Sequence, residues 1–392
     1  MKTTNLTNPK RAIFLTIALD LIGLTIIFPI LPGFIDRYGI SEMMVGVIGA
    51  TYALCSFISA PYLGRLSDKF GRRNILLTSV AGSAVGWIIT AFAPTVWWVL
   101  LGRIIDGVTA GNITIAQSVL SDISKDQKER TKYFGMFGMM FGMAMIVGPL
   151  LGGFLVQFGF YVPFLVSGIF SVINAFMIYF SLPETHVPRV GQHEPQKGFA
   201  VFRALFGSRI SLYLWLFFTV GLGAGIYRHS FGLYMYSFYH LDAKHISYIL
   251  AFVGLFMAFC QGYLLSHFWL KKFKPAQILF MSLLASSILF TIVATYDQSP
   301  NPSIFVWLFF EICMVFFTIA MWPVLQSEGM THADPERRGE TNGYFSSLGN
   351  LTAIIGPLVG AWMIGIHISP LWPAAVGSFM SLLWFLAYRK RF

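Results

Sequence analysis

Twelve long apolar stretches run through the 392 residues, and the few charges inside them occur only in the first, fourth, seventh and tenth. These are Asp20, then Arg103 and Asp106, then Arg228, then Glu311. An ionised side chain in hydrocarbon costs several kcal/mol, so charges recurring in every third span predict one shared polar cavity.

Composition supports reading these stretches as membrane spans. Hydrophobic residues make up 56% of the chain and charged residues 11%, whereas a soluble globule carries roughly a quarter charged residues. A span needs about 20 apolar residues to cross a core about 30 Å thick. Helices are therefore predicted over 11–34, 43–64, 74–93, 96–120, 133–156 and 161–181, then 210–238, 246–268, 275–295, 302–327, 342–366 and 370–388. The runs are continuous, unlike the strands of about ten alternating residues of a transmembrane barrel. The predicted fold class is an all-α polytopic membrane protein.

Twelve spans place both termini on one side, and the even-numbered loops with the two tails hold 23 of the 27 Lys and Arg residues. Only Arg37 and Lys244 lie in the opposite loops. Both ends are therefore expected in the cytoplasm. The formal charge of +10 follows from the same asymmetry. It points to membrane lipids as partners and requires no nucleic acid. The first span lacks an A-x-A cleavage site and is read as an uncleaved helix. Cys55, Cys260 and Cys313 fall inside spans with no pairing or metal-ligand spacing, and are treated as small apolar side chains.

A polar interval at 183–209 with Pro183, Pro188 and Pro195 reads as a cytoplasmic linker between six-helix halves at 1–182 and 210–392. A shift of 208 positions matches Asp126 to Asp334, Arg130 to Arg338, Gly148 to Gly356, Pro149 to Pro357 and Gly152 to Gly360. Gly and Pro are common in membrane helices and match by accident; the two charged loop positions favour a duplication.

Between spans 2 and 3 the chain reads GRLSDKFGRR over Gly64 to Arg73, predicted to be a tight polar turn in which Gly64 and Gly71 allow close backbone approach and positive φ. Span 1 holds Asp20 in LDLIGLTIIFPILP, and span 4 holds Arg103-Ile104-Ile105-Asp106-Gly107. Span 5 ends Gly148-Pro149-Leu150-Leu151-Gly152-Gly153, and Leu182-Pro183-Glu184-Thr185 follows span 6. Taken together, these segments resemble the major facilitator superfamily over the whole chain, and within it the 12-span drug:proton antiporters of the tetracycline-efflux-like branch. The second-half copy of the loop motif, Gly262 to Lys271, is degenerate.

The resemblance implies a major facilitator fold of two six-helix bundles in a cell inner membrane. It also implies proton-coupled export of small amphipathic molecules by alternating access, as in tetracycline and multidrug resistance. Gly64, Asp68, Gly71, Arg72 and Asp122 would form the cytoplasmic gate. Gly148, Pro149, Gly152 and Gly153 would bend span 5 and seal it against proton leak. The proton gradient would supply the energy, with no cofactor, and the protein would act as a monomer.

For the cavity, the residues themselves leave alternatives open. Arg103 and Asp106 stand three apart on one helix face, either as a salt bridge that shields both from lipid or as a coupling pair. Asp20 has no sequence-local cation and is the better proton carrier, with Asp106 and Glu311 as further candidates. Arg228 follows Gly221-Leu222-Gly223-Ala224-Gly225, a stretch expected to weaken its helix and provide a bend or gate. It would either meet an anionic group of the cargo or snorkel to the outer interface. His229 is read as interfacial.

Among other classes, an enzyme is disfavoured: no H-E-x-x-H, no convincing Ser/His/Asp set and no P-loop occurs, so catalytic and metal-ligating residues are none. Runner-up readings are an exporter of a specific metabolite or anionic siderophore-like compound, a proton-coupled importer, and a transporter-like sensor.

Overall fold

The computed structural model describes residues 9–185, 210–333 and 338–388. The predicted linker falls almost wholly outside the described residues, as does Asp334 of the repeat. The described residues are helical, with no strand among them. Nine of their helical segments are long and apolar enough to cross a membrane. The three other predicted spans coincide with helices Pro9–Thr25, Ser211–Tyr239 and Trp372–Tyr388. Large apolar side chains such as Phe180 and Phe305 are 75% and 79% exposed, as suits a surface solvated by lipid rather than water.

The chain divides into two compact units. Unit 1 comprises residues 1–40, 51–191 and 242–252; unit 2 comprises 41–50, 192–241 and 253–392.

In unit 1, α1 (Pro9–Thr25) packs on α7 (Gln127–Leu155) and α8 (Val162–Ser181), and α4 (Arg72–Ala91) packs on α8 and α5 (Val96–Val108). A core of Ile13, Ile17, Leu21, Val80, Ile115 and Val119 fills the space between them. The remaining helices are α2 (Gly33–Tyr38), α3 (Glu42–Phe70), whose first turns count with unit 2, and α6 (Asn112–Asp122).

Unit 2 repeats these pairings. There α9 (Ser211–Tyr239) packs on α14 (Arg338–Gly365) and α15 (Trp372–Tyr388), while α11 (Pro275–Tyr296) packs on α15 and α12 (Ile304–Thr318). Trp269, Leu214, Ile278 and Phe345 are fully or almost fully buried in its core. Helix α10 (Ala243–Phe259) continues as a π-helical stretch over Cys260–Trp269, and α13 (Met321–Thr331) follows α12.

Three predicted spans are interrupted. Span 1 leaves regular helix after Thr25 and crosses residues 26–32 in turns before α2. Pro29 and Pro32 explain this, because each lacks an N–H and its ring crowds the carbonyl four residues back. Span 4 breaks at residues 109–111 and span 10 at 319–320. Conversely, the expected weak point at Gly221–Gly225 is absent, for α9 runs unbroken. Those glycines serve packing: a Cβ on Gly223 would stand 2.5 Å from the Pro373 carbonyl oxygen, and one on Gly225 would stand 2.8 Å from Thr352.

Candidate functional site

The site in unit 1 begins with a crossing of two glycines. A Cβ on Gly86 of α4 would stand 2.7 Å from the Gly102 carbonyl oxygen of α5, and one on Gly102 would meet the Gly86 carbonyl at the same 2.7 Å. Backbone contact of this kind is what small residues permit between membrane helices. It sets Arg103 beside Trp87 and Thr90. The guanidinium lies 4.0 Å from the Trp87 ring centroid, Nη2 donates to Thr90 Oγ1 at 3.3 Å, and Nη1 pairs with Asp106 Oδ2 at 3.2 Å. Both charged side chains are 4% exposed. Taking such a pair out of water is costly unless further contacts offset it; the aromatic face and the Thr90 hydroxyl supply two, while Nε has no hydrogen-bond partner among the described residues.

The break in span 4 completes the arrangement. Thr109 Oγ1 donates to the Ile105 and Asp106 carbonyls at 2.8 and 3.2 Å, adding to the backbone bond that the Thr109 N–H makes to Ile105 at the helix end. Asn112, the first residue of α6, then turns its amide to two partners. Nδ2 donates to Asp20 Oδ1 at 2.7 Å and to Ser83 Oγ at 3.3 Å. Ser83 in turn lies close enough to Asp106 to interact with its carboxylate. A continuous polar chain thus runs Asp20, Asn112, Ser83, Asp106, Arg103 through the apolar interior of unit 1. Asp20 has no cation partner among the described residues and borders a small recess with Thr16, Asn112 and Phe137.

Glu311 and Arg228 lie in unit 2 and do not pair with each other. Glu311 is 8% exposed and accepts from Tyr227 Oη at 3.0 Å. Arg228, the next residue, points away: it is exposed and has no carboxylate within ion-pair distance among the described residues. His229 packs near Gly356.

Sequence reasoning missed a second carboxylate in unit 2. Asp297 follows α11, is 5% exposed, and accepts from Tyr234 Oη at 2.8 Å, Tyr239 Oη at 2.7 Å and the Ser369 hydroxyl. Its place just past a predicted span made it look like an ordinary loop acid. The tyrosines at 227 and 234, two helical turns apart, were the available signal.

The polar segment after span 2 is helical for most of its length. α3 continues to Phe70, so Gly64 sits inside a helix with nothing within 4 Å of an added Cβ, and only Gly71 has positive φ, at +96°. The expected turn is thus confined to Gly71, because the α3 hydrogen bonds simply carry on through the motif. Arg72 Nη1 pairs with Asp68 Oδ1 at 2.7 Å, its Nε meets Asp122 Oδ2 at 3.2 Å, and Nη1 donates to Ser67 Oγ at 2.7 Å. Asp68, Arg72 and Asp122 are therefore brought together. Glu184 joins them unforeseen: its carboxylate accepts the N–H groups of Arg72 and Arg73 at 2.9 and 3.3 Å. It caps the electropositive N-terminus of α4.

α7 runs through Pro149 without interruption. Gly148 lies against Thr25, and Gly152 against the Ile26 carbonyl, at the broken end of α1. Thr25 Oγ1 donates to the Ala144 carbonyl at 2.8 Å, holding this contact. Gly153 faces Ser247.

Long apolar helices enclosing two buried polar clusters define a polytopic membrane protein with ionisable groups in its interior. Its sequence matches the profile of the Major Facilitator Superfamily over residues 13–348, and the chain belongs to that family of membrane transporters. It is 31% identical over 357 residues to "Tetracycline resistance protein, class E" of Escherichia coli, covering 88% of this chain and 85% of that protein. With "Tetracycline resistance protein, class H" of Pasteurella multocida it shares 30% identity over 368 residues, 91% of this chain and 89% of the relative. The human organic anion transporter MFSD10 (TETRAN) superposes with a TM-score of 0.66 at 20% identity, covering 97% of this chain and 99% of that one.

Proposed function

We propose that this transporter exports small amphipathic molecules of the tetracycline class from the cytoplasm in exchange for protons, by alternating access. It would work as a monomer of twelve spans in two six-helix bundles joined at 183–209, in a cell inner membrane with both termini cytoplasmic. The observation that carries the reading is the link from Asp20 through Asn112 and Ser83 to Asp106, in a chain whose relatives are tetracycline resistance proteins.

In this reading Asp20 is the proton carrier, because it can gain and lose a proton without breaking an ion pair. Protonating it adds an O–H donor and turns the charged acceptor of the Asn112 amide into a weaker neutral one, which frees that amide to turn. That rearrangement reaches Ser83 and Asp106, and alters how firmly Asp106 holds Arg103. Deprotonation of Asp20 frees Arg103 from Asp106 as a cation available to cargo and protonation returns it to Asp106, so proton and cargo occupy the site alternately. Asp68, Arg72 and Asp122 act as a gate on the cytoplasmic side, with Gly71 and Glu184 fixing the start of α4. The close fit of Gly148 and Gly152 on α1 keeps that seam shut to protons.

Everted vesicles energised to an acidic interior test this. Adding tetracyclines should release protons from wild-type vesicles and not from an Asp20→Asn, Asp106→Asn double variant. Proton release by the double variant equal to wild type would overturn the mechanism.

One observation favours a second reading, export of an anionic metabolite or siderophore-like compound: Arg228 is exposed on α9 without a carboxylate partner among the described residues. In the same vesicles an anionic siderophore, rather than a tetracycline, would then trigger release, and Arg228→Gln would abolish it.

A further inference from the structure

The Asp297 cluster lies apart from every residue used above except Glu311. Its carboxylate is almost fully buried and has no ion pair with Lys or Arg among the described residues. Three hydroxyls fill its two oxygens instead. Tyr234 Oη lies 2.8 Å from both, Tyr239 Oη is 2.7 Å from Oδ1, and the Ser369 hydroxyl donates to Oδ2. The cluster thereby ties the last turns of α9, the end of α11 and the turn leading into α15.

The same face of α9 carries Tyr227, whose ring meets that of Tyr234 edge-on at 6.0 Å between centroids and whose hydroxyl donates to Glu311. Other groups near Asp297 are Tyr296, whose Oη accepts from the Ser303 N–H at 2.7 Å, and His367, whose carbonyl accepts from Gln298. Burial pushes the Asp297 carboxyl up from its ordinary range, and the Ser369, Tyr239 and Tyr234 hydroxyls draw it part of the way back.

We propose that Asp297 is a second proton-binding site of this transporter, at the extracytoplasmic end of unit 2, and that its occupancy is passed along α9 to Glu311. The proposal rests on the proton-coupled reading for its place in the transport cycle. The proton comes from hydronium on the side where α11 ends, leaving water, and the carboxylate becomes a neutral acid with one new O–H bond. Three donors already fill the two oxygens. Once one oxygen carries a hydrogen, a hydroxyl must swing aside, and Tyr234, bridging both oxygens, is placed to do so. The end of α9 then loses part of its tie to α11 and α15, and Tyr227, two turns back on the same face, shifts its hold on Glu311.

Infrared difference spectra of purified full-length protein between acid and neutral pH, without cargo, test the site. Wild type should show a carboxylic-acid C=O band that disappears in Asp297→Asn. Tyr234→Phe removes one donor to the ionised form without touching the carboxyl, so it should move the midpoint of that band to higher pH. Identical bands in wild type and Asp297→Asn, or an unmoved midpoint in Tyr234→Phe, would overturn the proposal. Because the spectra need no cargo and no gradient, silence in the vesicle assay would strike the coupling reading and leave this site standing.

Discussion

Asn112 reaches across 92 positions of sequence to donate to Asp20 at 2.7 Å, and with the same amide nitrogen it touches Ser83 of a third helix. One neutral side chain thereby connects the isolated carboxylate of α1 to the ion pair of α5. The break at residues 109–111 places it there, since an unbroken helix would carry position 112 on in register from Asp106.

Replacing Asn112 by Ala should therefore uncouple transport without unfolding the protein. A hydrogen bond to a charged group contributes about 1.5–3 kcal/mol, equivalent to roughly 10- to 100-fold. Cargo-driven proton release should fall by that order in Asn112→Ala vesicles holding normal amounts of protein. Unchanged release would remove Asn112 from the coupling path.

Arg103 is held by a plane as well as by a charge. Lys in its place keeps the positive charge but cannot stack a guanidinium on Trp87 while reaching both Thr90 and Asp106. Arg103→Lys should insert and fold yet lose most transport, whereas Arg103→Ala leaves Asp106 buried and unpaired, at a cost of about 3–5 kcal/mol. Thermal unfolding in detergent should rank wild type above Lys and Lys above Ala; equal stability of Ala and wild type would contradict the buried pair.

The two glycines of the polar motif should differ sharply. At Gly71, φ is +96° and an added Cβ would press on the Glu184 carboxylate, so Gly71→Ala should destabilise by about 1–3 kcal/mol. Gly64 is helical and open, so Gly64→Ala should be neutral or stabilising by up to about 1 kcal/mol. Unfolding temperatures of the two variants settle the matter, and equal effects would show that the motif does not hold Gly71 in this conformation.

A surface cluster near the start of α7 predicts a pH effect of known sign. Hydrogen bonds from Lys10, from Tyr133 and from the Lys125 N–H draw the Glu129 carboxyl down to about 2. A depressed folded-state value means that stability is fully present above the ordinary carboxylate range and is lost as pH falls towards 2. Glu129→Gln should accordingly be less stable than wild type at neutral pH, with the gap closing below about pH 4. A gap that persists undiminished near pH 2 would refute the assignment.

Asp20, Arg103, Asp106 and Glu311 were legible because a charge in an apolar run announces itself. Asp68 and Arg72 were legible only through the motif's resemblance, since the segment that holds them read as a turn and the helix that sets them four positions apart on one face came from the structure. Ser83, Asn112, Thr90 and Trp87 were not, being ordinary residues for a membrane helix until a partner stands opposite. Gly221–Gly225 misled for the converse reason: glycine weakens an isolated helix, but this one is packed against Pro373 and Thr352 and runs unbroken.

The sequence by itself determined that this chain is helical and membrane-spanning and where its costly charges lie, because the transfer of a side chain into hydrocarbon is a local property of each residue. Tertiary structure alone decided which groups meet. Glu184 at the α4 N-terminus, Asn112 between Asp20 and Ser83, and Asp297 among three hydroxyls are each satisfied by partners far away in the chain. A neutral donor or a helix end contributes only at hydrogen-bond distance, and that distance is set by the packing of helices distant in sequence.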